Sequence, residues 1–451
     1  MLSRRRFLAS LSAAAAAGLP GWPGGLATRP GAWSISQAYS LALRTGAAIA
    51  GQDLPPRNRR NPNPAFDWSL AGRRLRERYP DLRRHFAFEY YPWYGRDPWV
   101  HWNLWDRHPP LDLAATAIPQ LGPYDSRDAT VLEQHARWIA ESGAGTINVS
   151  WWGPGSFEDR AVHLLMDVMR DHDLKVTFHL EPHHLTRGET YGADILYLLK
   201  EYGEARGWDA MLILADANGR QGPVFKSFAT ILPPQTVDCL GRVSPVRLWV
   251  ADDTWRRQTD TLRETLRRDF DHIWLLADSS DTGRVVASGF DGIAIYDNYV
   301  RPGRWPALAQ LCRNADLIFS FNTNAGFDGI EPRDDRGPCY VPLPFEPPSR
   351  PLDWTSPEDR DRARALAQAR IAESLRTTLT LQTSEALPNW NAGFFLTYVN
   401  SFNEWHEGTQ FEPAKPFDRL TPEERAQGYH NPAEGDYRLQ ALRALLGLLY
   451  T

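Results

Sequence analysis

Glu404 and Glu407 stand three residues apart in the stretch Phe402-Asn403-Glu404-Trp405-His406-Glu407-Gly408-Thr409-Gln410. Side chains at that spacing share one face of a helical turn, so both carboxyls could address one bound molecule. A carboxylate pair in an aromatic setting suits acid/base work on a polar, uncharged substrate, because unlike surroundings push the two pKa values apart. The preceding run, Gly393 to Asn400, is mostly apolar and rich in aromatic residues, and predicts a buried strand. Ionisable residues at the end of such a strand fall on the catalytic face of an α/β barrel. The plain alternative is a pair of solvated loop carboxylates, since Glu is mostly exposed.

A second cluster, His179-Leu180-Glu181-Pro182-His183-His184, lies at another expected strand end. Alternate strand residues share a face, so His179, Glu181 and His183 could converge. Such a triad could bind a metal, but Pro182 breaks strand geometry and the residues lack the helical spacing of the usual zinc motifs. Glu181 could instead hydrogen-bond the hydroxyls of a polyol, since a carboxylate makes charge-assisted bonds, or the cluster could be purely structural. Tyr91, Trp93, Tyr94, Trp102, Trp151 and Trp152 gather after two early strands. They could form a stacking wall for sugar rings, with Trp152 best placed, or pack the barrel and its loops. Tyr296 follows a later strand and could reach the same cleft, while Asp291 inside that strand is expected to be structural.

Ser401 to Gln410, followed by Glu412-Pro413, resembles the signature of glycoside hydrolase family 99, a family of endo-acting α-mannosidases and α-mannanases. Other segments are similar to that family in the same order: Phe88 to Gly95 with His101-Trp102, Asn148 to Trp152, Phe178 to Pro182, and Gly289 to Gly292. The resemblance runs from about Phe86 to Pro413. It implies a (β/α)8 barrel that needs no metal and no cofactor. It implies that Glu404 acts as base on the substrate's own 2-hydroxyl, and that Glu407 is the acid/base for the leaving oxygen. Substrate contacts are expected from Tyr91, Trp93, Tyr94, Trp102, Trp152, His179, Glu181, Tyr296, Asn403, Trp405 and His406. The chain departs from the family between about Trp208 and Leu232, where it carries Phe225-Lys226-Ser227-Phe228-Ala229. It departs again from Asn322 to Pro338, where Gly326, Asp328, Arg333 and Asp334 only loosely echo a family loop.

The elements that must position these residues alternate along the chain. Strands are expected at Phe86–Tyr91, Ala144–Trp151, Leu174–Leu180, Gly292–Ile295, Leu317–Phe321 and Phe394–Val399. Weaker strand signals lie at Met211–Leu214, Gly222–Phe228, Val246–Val250 and His272–Leu276. Helices are expected from Asp125 or Ser126 to Ser142, at Glu158–Asp171, Tyr191–Tyr202 and Pro357–Leu381 with Ser356 as N-cap, and at Leu439–Leu448. Alternation over more than 300 residues favours one barrel with long loops, an α/β fold occupying residues 81–451.

Ser3-Arg4-Arg5-Arg6-Phe7-Leu8 ahead of a short Ala-rich stretch predicts a twin-arginine signal over residues 1–30, with cleavage near Ala27 and a periplasmic or extracellular destination. Residues 31–80 are expected to be a linker or strap. No later segment has the character of a membrane span. Removing residues 1–30 takes away four Arg and no acid, so the net charge moves from 50 − 55 = −5 to 46 − 55 = −9. That balance argues against nucleic acid as a partner and leaves an oligo- or polysaccharide as the expected one, bound by a monomer. The 18 Trp, 19 Phe and 16 Tyr fit carbohydrate stacking, although most must serve the core. Cys239, Cys312 and Cys339 permit at most one disulfide, and buried thiols are the plain expectation. Three other readings stay open at this stage: the same mechanism on another α-linked glycan, a non-catalytic glycan-binding barrel, and a metal-dependent hydrolase.

Overall fold

The computed structural model describes residues 66–298, 301–333, 338–343 and 345–451. The expected signal at 1–30, most of the expected strap, and Asp334 lie outside the described residues. Nine parallel strands form the barrel: β1 (Phe86–Tyr90), β2 (Thr146–Trp151), β3 (Lys175–Leu180), β4 (Gln221–Ser227), β5 (Trp274–Ala277), β6 (Gly292–Ala294), β7 (Ile318–Ser320), β8 (Asn322–Asn324) and β9 (Thr397–Asn400). β1 to β7 pair in sequence order. After Phe321 the chain leaves β6, and β8 pairs with β9, which returns to β1. β7 and β8 are therefore one barrel position split in two, and the ring is that of a (β/α)8 barrel.

The side-chain alternation explains why these strands close on themselves. Phe88, Ile147, Val149, Val176, Phe178, Phe225, Leu275, Ile293, Phe319 and Val399 face outward into one core shared with the helices. Ala87, Val224, Trp274, Leu276, Ala294, Ile318, Leu396 and Tyr398 face inward and fill the barrel floor. Above that floor the inward positions turn polar: Glu89, Asn148, Ser150, His179, Glu181, Lys226 and Asn400. The period of two thus continues along each strand while its chemistry changes, and the polar ends open at the C-terminal mouth. Gly292 permits the β6–β7 pairing, because a Cβ there would lie 2.2 Å from the Ile318 carbonyl oxygen.

The outer layer is α2 (Ala129–Ser142), α3 (Phe157–Asp171), α4 (Arg187–Leu198), α5 (Asp252–Leu266), α6 (Thr282–Ala287), α7 (Trp305–Asn314), α8 (Pro357–Gln382) and α9 (Tyr437–Tyr450), with α1 (Trp68–Arg78) ahead of the barrel. Each turns an apolar stripe inward, such as Val162, Leu165, Met166 and Met169 of α3. Burying each such side chain contributes about 1.5–3 kcal/mol.

Several expectations change. The expected strap includes α1, a helix capped by Asp67 and bonded through Arg76 to Leu449 of α9. α2 starts later than expected. Asp128 caps it by accepting from Thr130 N, while Ser126 turns back to accept from Tyr94 N at 3.1 Å. Ser356 precedes α8 without a capping hydrogen bond from its side chain. Met211–Leu214 is displaced to a short arm, Ile213–Ala215, antiparallel to β4. Val246–Val250 forms no strand. The hairpin ahead of it, Gln235–Val237 with Val243–Pro245, takes the pairing instead. Cys239 and Cys339 form a disulfide, so only Cys312 is the buried thiol expected of all three. The disulfide joins the loop after β4 to the loop after β8. Among the described residues, no helix is long and apolar enough to cross a membrane.

Candidate active site

The turn after β9 is built by its own backbone. Ser401 N donates to Thr409 O, Phe411 N donates to Ser401 O, and Glu412 N donates to Phe402 O at 2.7 Å. Ser401 Oγ accepts from Glu404 N at 2.8 Å, as an N-cap would, and fixes the first carboxylate. Gly408 has φ +64°, and a Cβ there would sit 2.4 Å from Asp328 O, so the turn requires glycine. Asp328 N donates to Glu407 O at 2.9 Å, which ties the second carboxylate to the loop after β8.

Glu404 is enclosed, 3% exposed, and Oε1 accepts from His406 N at 3.0 Å. Glu407 keeps a partly open face, and its Oε2 accepts from the Tyr296 hydroxyl at 3.0 Å. Burial pushes both carboxyls up. Glu404 rises well above the usual range, helped by the neighbouring Glu407 charge. Glu407 rises to about 7, opposed by the Tyr296 hydrogen bond and helped by Asp297. The field of Glu407 on Glu404 links their titrations, so the pair gives up its protons above the range of ordinary carboxylates. The Tyr91 hydroxyl is raised by burial and by the fields of Glu89, Glu404, Glu181 and Glu407, so it sits among the carboxylates.

Glu181 closes the opposite side. Ser150 Oγ donates to its Oε1 at 2.9 Å, and Trp152 Nε1 donates to Ser150 Oγ at 3.2 Å, so the half-buried Trp152 and Glu181 are set by one hydroxyl. Burial raises the Glu181 pKa. His183 does not join His179 and Glu181. Its Nε2 lies 3.7 Å from Asp194, and burial pushes its pKa down to about 4. Among the described residues, no group of His, Cys, Asp and Glu is arranged to hold a metal.

Four other expected contacts are enclosed and bonded to the protein itself. Asn403 spends its amide on Tyr91, accepting from the backbone N at 2.8 Å and donating to the carbonyl at 2.9 Å. Trp405 is enclosed and donates Nε1 to Glu412 at 3.0 Å. Trp102 donates to Tyr124 O and stacks on Tyr94 at 4.1 Å, and the Tyr94 hydroxyl bridges Asn403 O and Trp405 N. These four residues back the turn that carries Glu404 and Glu407. Trp93 stacks on His101 at 4.3 Å, and His406 lies against the pair at the rim. Burial pushes the His406 pKa down to about 4, so the ring is neutral. Asp291 is structural, accepting from Leu275 N and Arg263.

Three charged residues have partners that sequence reasoning did not assign. Glu412 gathers Tyr124, Trp405 and His135 in the core behind the turn. Glu89 and Lys226 pair at 2.6 Å inside the barrel. Each was visible as a lone charge in an apolar or aromatic run.

Residues 82–211 match the family model Glycosyl hydrolase family 99. The glycoprotein endo-alpha-1,2-mannosidase of Xenopus laevis is 25% identical over 376 residues, covering 75% of this chain and 72% of that protein. A glycoprotein endo-alpha-1,2-mannosidase-like protein of Danio rerio is 28% identical over 363 residues, covering 72% and 70%. The solved GH99 endo-alpha-mannosidase of Bacteroides thetaiotaomicron superposes with a TM-score of 0.53 at 21% identity, over 81% of this chain and 97% of that one, a likeness of fold. The family model covers the first three strands of the barrel. The chain is similar to glycoside hydrolase family 99 over that segment and is a glycoside hydrolase.

Proposed function

We propose that this protein is an exported, retaining endo-glycosidase that cuts internal α-mannosidic linkages in mannan or N-glycan-type chains. The observation that carries the reading is the placement of two carboxyls, one enclosed and one partly open, both with raised pKa values, on the turn after β9. Glu404 takes the proton of the sugar's 2-hydroxyl, whose oxygen attacks C1 as the C1–aglycone bond breaks. Glu407 protonates the departing oxygen. The product is a 1,2-anhydro sugar. Glu407, now ionised, takes a proton from water, whose oxygen attacks C1. The C1–O2 bond breaks, and Glu404 returns the proton to O2. Two inversions at C1 give retention. Tyr91 and Tyr296 orient the pair, while Trp152 and Glu181 hold the sugar. The similarity to endo-alpha-1,2-mannosidases supports mannose as the sugar. The disulfide supports an oxidising destination, as the Arg4-Arg5 motif does.

Digestion of a panel of α-mannans and N-glycans, read by mass spectrometry, tests the activity. Oligosaccharide release with retained anomeric configuration is expected. Release of single sugars from chain ends alone refutes the endo assignment. A 2-fluoro substrate is expected to resist turnover, and an enzyme-bound glycosyl ester trapped from it would remove Glu404 from the role of base. Export is checked by changing Arg4 and Arg5 to Lys, which should leave precursor in the cytoplasm. Unchanged export excludes the twin-arginine route.

A further inference from the structure

Beneath the catalytic turn, four barrel strands converge on one carboxylate. Glu89 of β1 receives Lys226 Nζ of β4 on Oε1 at 2.6 Å, and Asn148 Nδ2 of β2 on Oε2 at 2.9 Å. His179 Nδ1 of β3 lies 3.1 Å from that same Oε2. The side chains of Glu89, Lys226 and His179 are at most 1% exposed. Burial alone would raise the Glu89 pKa, but the charge of Lys226 and the hydrogen bonds from Lys226 and His179 outweigh it and hold the carboxyl at about 2. Glu89 is therefore ionised and can only accept.

That fixes the imidazole. A bare Nδ1 would set its lone pair against carboxylate oxygen, so Nδ1 must carry the proton. In the neutral ring Nε2 is then an acceptor. This Nε2 is buried and has no hydrogen-bond partner among the described residues. The ring lies 5.8 Å from both Phe228 and Tyr296, and the Tyr296 hydroxyl bonds Glu407. An unmet buried acceptor costs about 1–3 kcal/mol unless something fills it. An ion pair kept for stability alone would need no histidine on its flank with a vacant lone pair.

We infer that Glu89, clamped by Lys226 and Asn148, holds His179 in the Nδ1–H tautomer so that Nε2 accepts a hydroxyl of the sugar bound beside Glu404 and Glu407. His179 contacts the substrate. Glu89 and Lys226 are positioning residues that act through it. The ligand chemistry is a neutral hydroxyl donor, which a bare imidazole nitrogen favours over a carbonyl or an anion. The inference rests on the glycosidase reading for the identity of the sugar, but the state of the ring does not depend on it.

The test joins spectroscopy to kinetics. In wild-type protein labelled with 15N-histidine, His179 is assigned by the signal missing in His179→Gln. At pH 7 its Nδ1 should be protonated and its Nε2 bare, and the Nε2 signal should move when α-1,2-mannobiose is added. A protonated Nε2, or a signal that mannobiose leaves in place, overturns the proposal. His179→Asn, which keeps a group near Nδ1 only, should lower kcat/KM up to about tenfold, the worth of one hydrogen bond. His179→Gln, which can place an oxygen near Nε2, should recover part of it. Glu89→Gln alone strands the Lys226 charge and is a poor folder, so the double variant Glu89→Gln with Lys226→Met is used. It should fold with near wild-type Tm, show mixed His179 tautomers, and raise KM more than it lowers kcat. Wild-type kcat/KM in that double variant would show the pair to be structural. If wild-type enzyme cleaves no α-mannan, the glycan reading fails while the tautomer result still decides the role of Glu89.

Discussion

Replacing Glu407 with Gln should stabilise the protein at alkaline pH while removing its activity. The carboxyl is pushed from an ordinary 4.5 to about 7 in the folded chain, first by burial. A raised carboxylate pKa favours the protonated form in the folded state. Its contribution is complete below the unfolded value near 4.5 and is lost as pH rises through about 7. A shift of that size corresponds to about 3 kcal/mol at pH 8. The partly open face of Glu407 lets solvent screen the charge, which trims the figure to about 1–2 kcal/mol. Gln carries no charge to bury, so the variant escapes this cost. Unfolding entropy scales with length, and for a chain of this size the gain corresponds to about 1–3 °C in Tm. Scanning calorimetry of wild type and Glu407→Gln from pH 4 to 8 should show curves that coincide at pH 4 and part between pH 5 and 7. Over the same range kcat should fall by about 10²–10⁴ for substrates with poor leaving groups, and less for a glycosyl fluoride. A variant less stable than wild type at pH 8, or a Tm gap independent of pH, would refute the assignment of Glu407 as a strained acid.

Tyr296→Phe deletes the hydrogen bond that favours ionised Glu407, so the alkaline limb of the kcat/KM profile should move to higher pH; an unmoved limb separates Tyr296 from the acid. Asn403→Ala removes two hydrogen bonds to the Tyr91 backbone from a closed site and should cost about 2–4 kcal/mol in urea unfolding, with reduced kcat. Serine at both Cys239 and Cys339 opens a link between residues 100 apart and should lower stability by up to about 4 kcal/mol; a calorimetric Tm equal to that of the oxidised wild type would show the rim to be held by other contacts.

The barrel was legible because its strands carry strong local signals. Thr146 to Trp151 and Lys175 to Leu180 are apolar runs ending in chemistry, and the structure places both beside the candidate site. The turn that carries Glu404 and Glu407 stood out for the same reason, a polar cluster at the end of an apolar strand. What was hidden depended on partners far along the chain. Glu89 sits in Phe86-Ala87-Phe88-Glu89-Tyr90 and looks like a flaw in an aromatic strand until Lys226, 137 residues away, faces it. Asn403 and Trp405 have the residue types of sugar ligands, yet tertiary packing spends them on Tyr91 and Glu412. Neither the split of the seventh barrel position at Phe321 nor the fate of Val246–Val250 could be seen locally. Both follow from which neighbour is free to pair.

The deeper burial of Glu404 sets a condition on the proposed chemistry. In the empty site burial raises both carboxyls, so the pair retains a proton above the range of ordinary carboxylates. Catalysis needs one arrangement of that proton, with Glu404 ionised toward the 2-hydroxyl and Glu407 protonated toward the leaving oxygen. Two contacts favour that arrangement once a sugar excludes water. The His406 N–H already supports charge on Glu404 Oε1, and a sugar hydroxyl donated to Glu404 adds to it. The pair must hold one proton in total, whichever carboxyl carries it in the free enzyme. The kcat/KM profile is therefore expected to be a bell whose limbs report the gain of a second proton and the loss of the shared one. Burial raises both steps, so the bell should be displaced upward from the range of ordinary carboxylates, with activity falling once the pH exceeds the value at which the pair gives up its proton. Initial rates at low substrate from pH 4 to 9 would measure it. A profile flat from pH 5 to 9 would mean that no carboxyl in this site donates a proton, and the acid/base roles of Glu404 and Glu407 would both have to be abandoned.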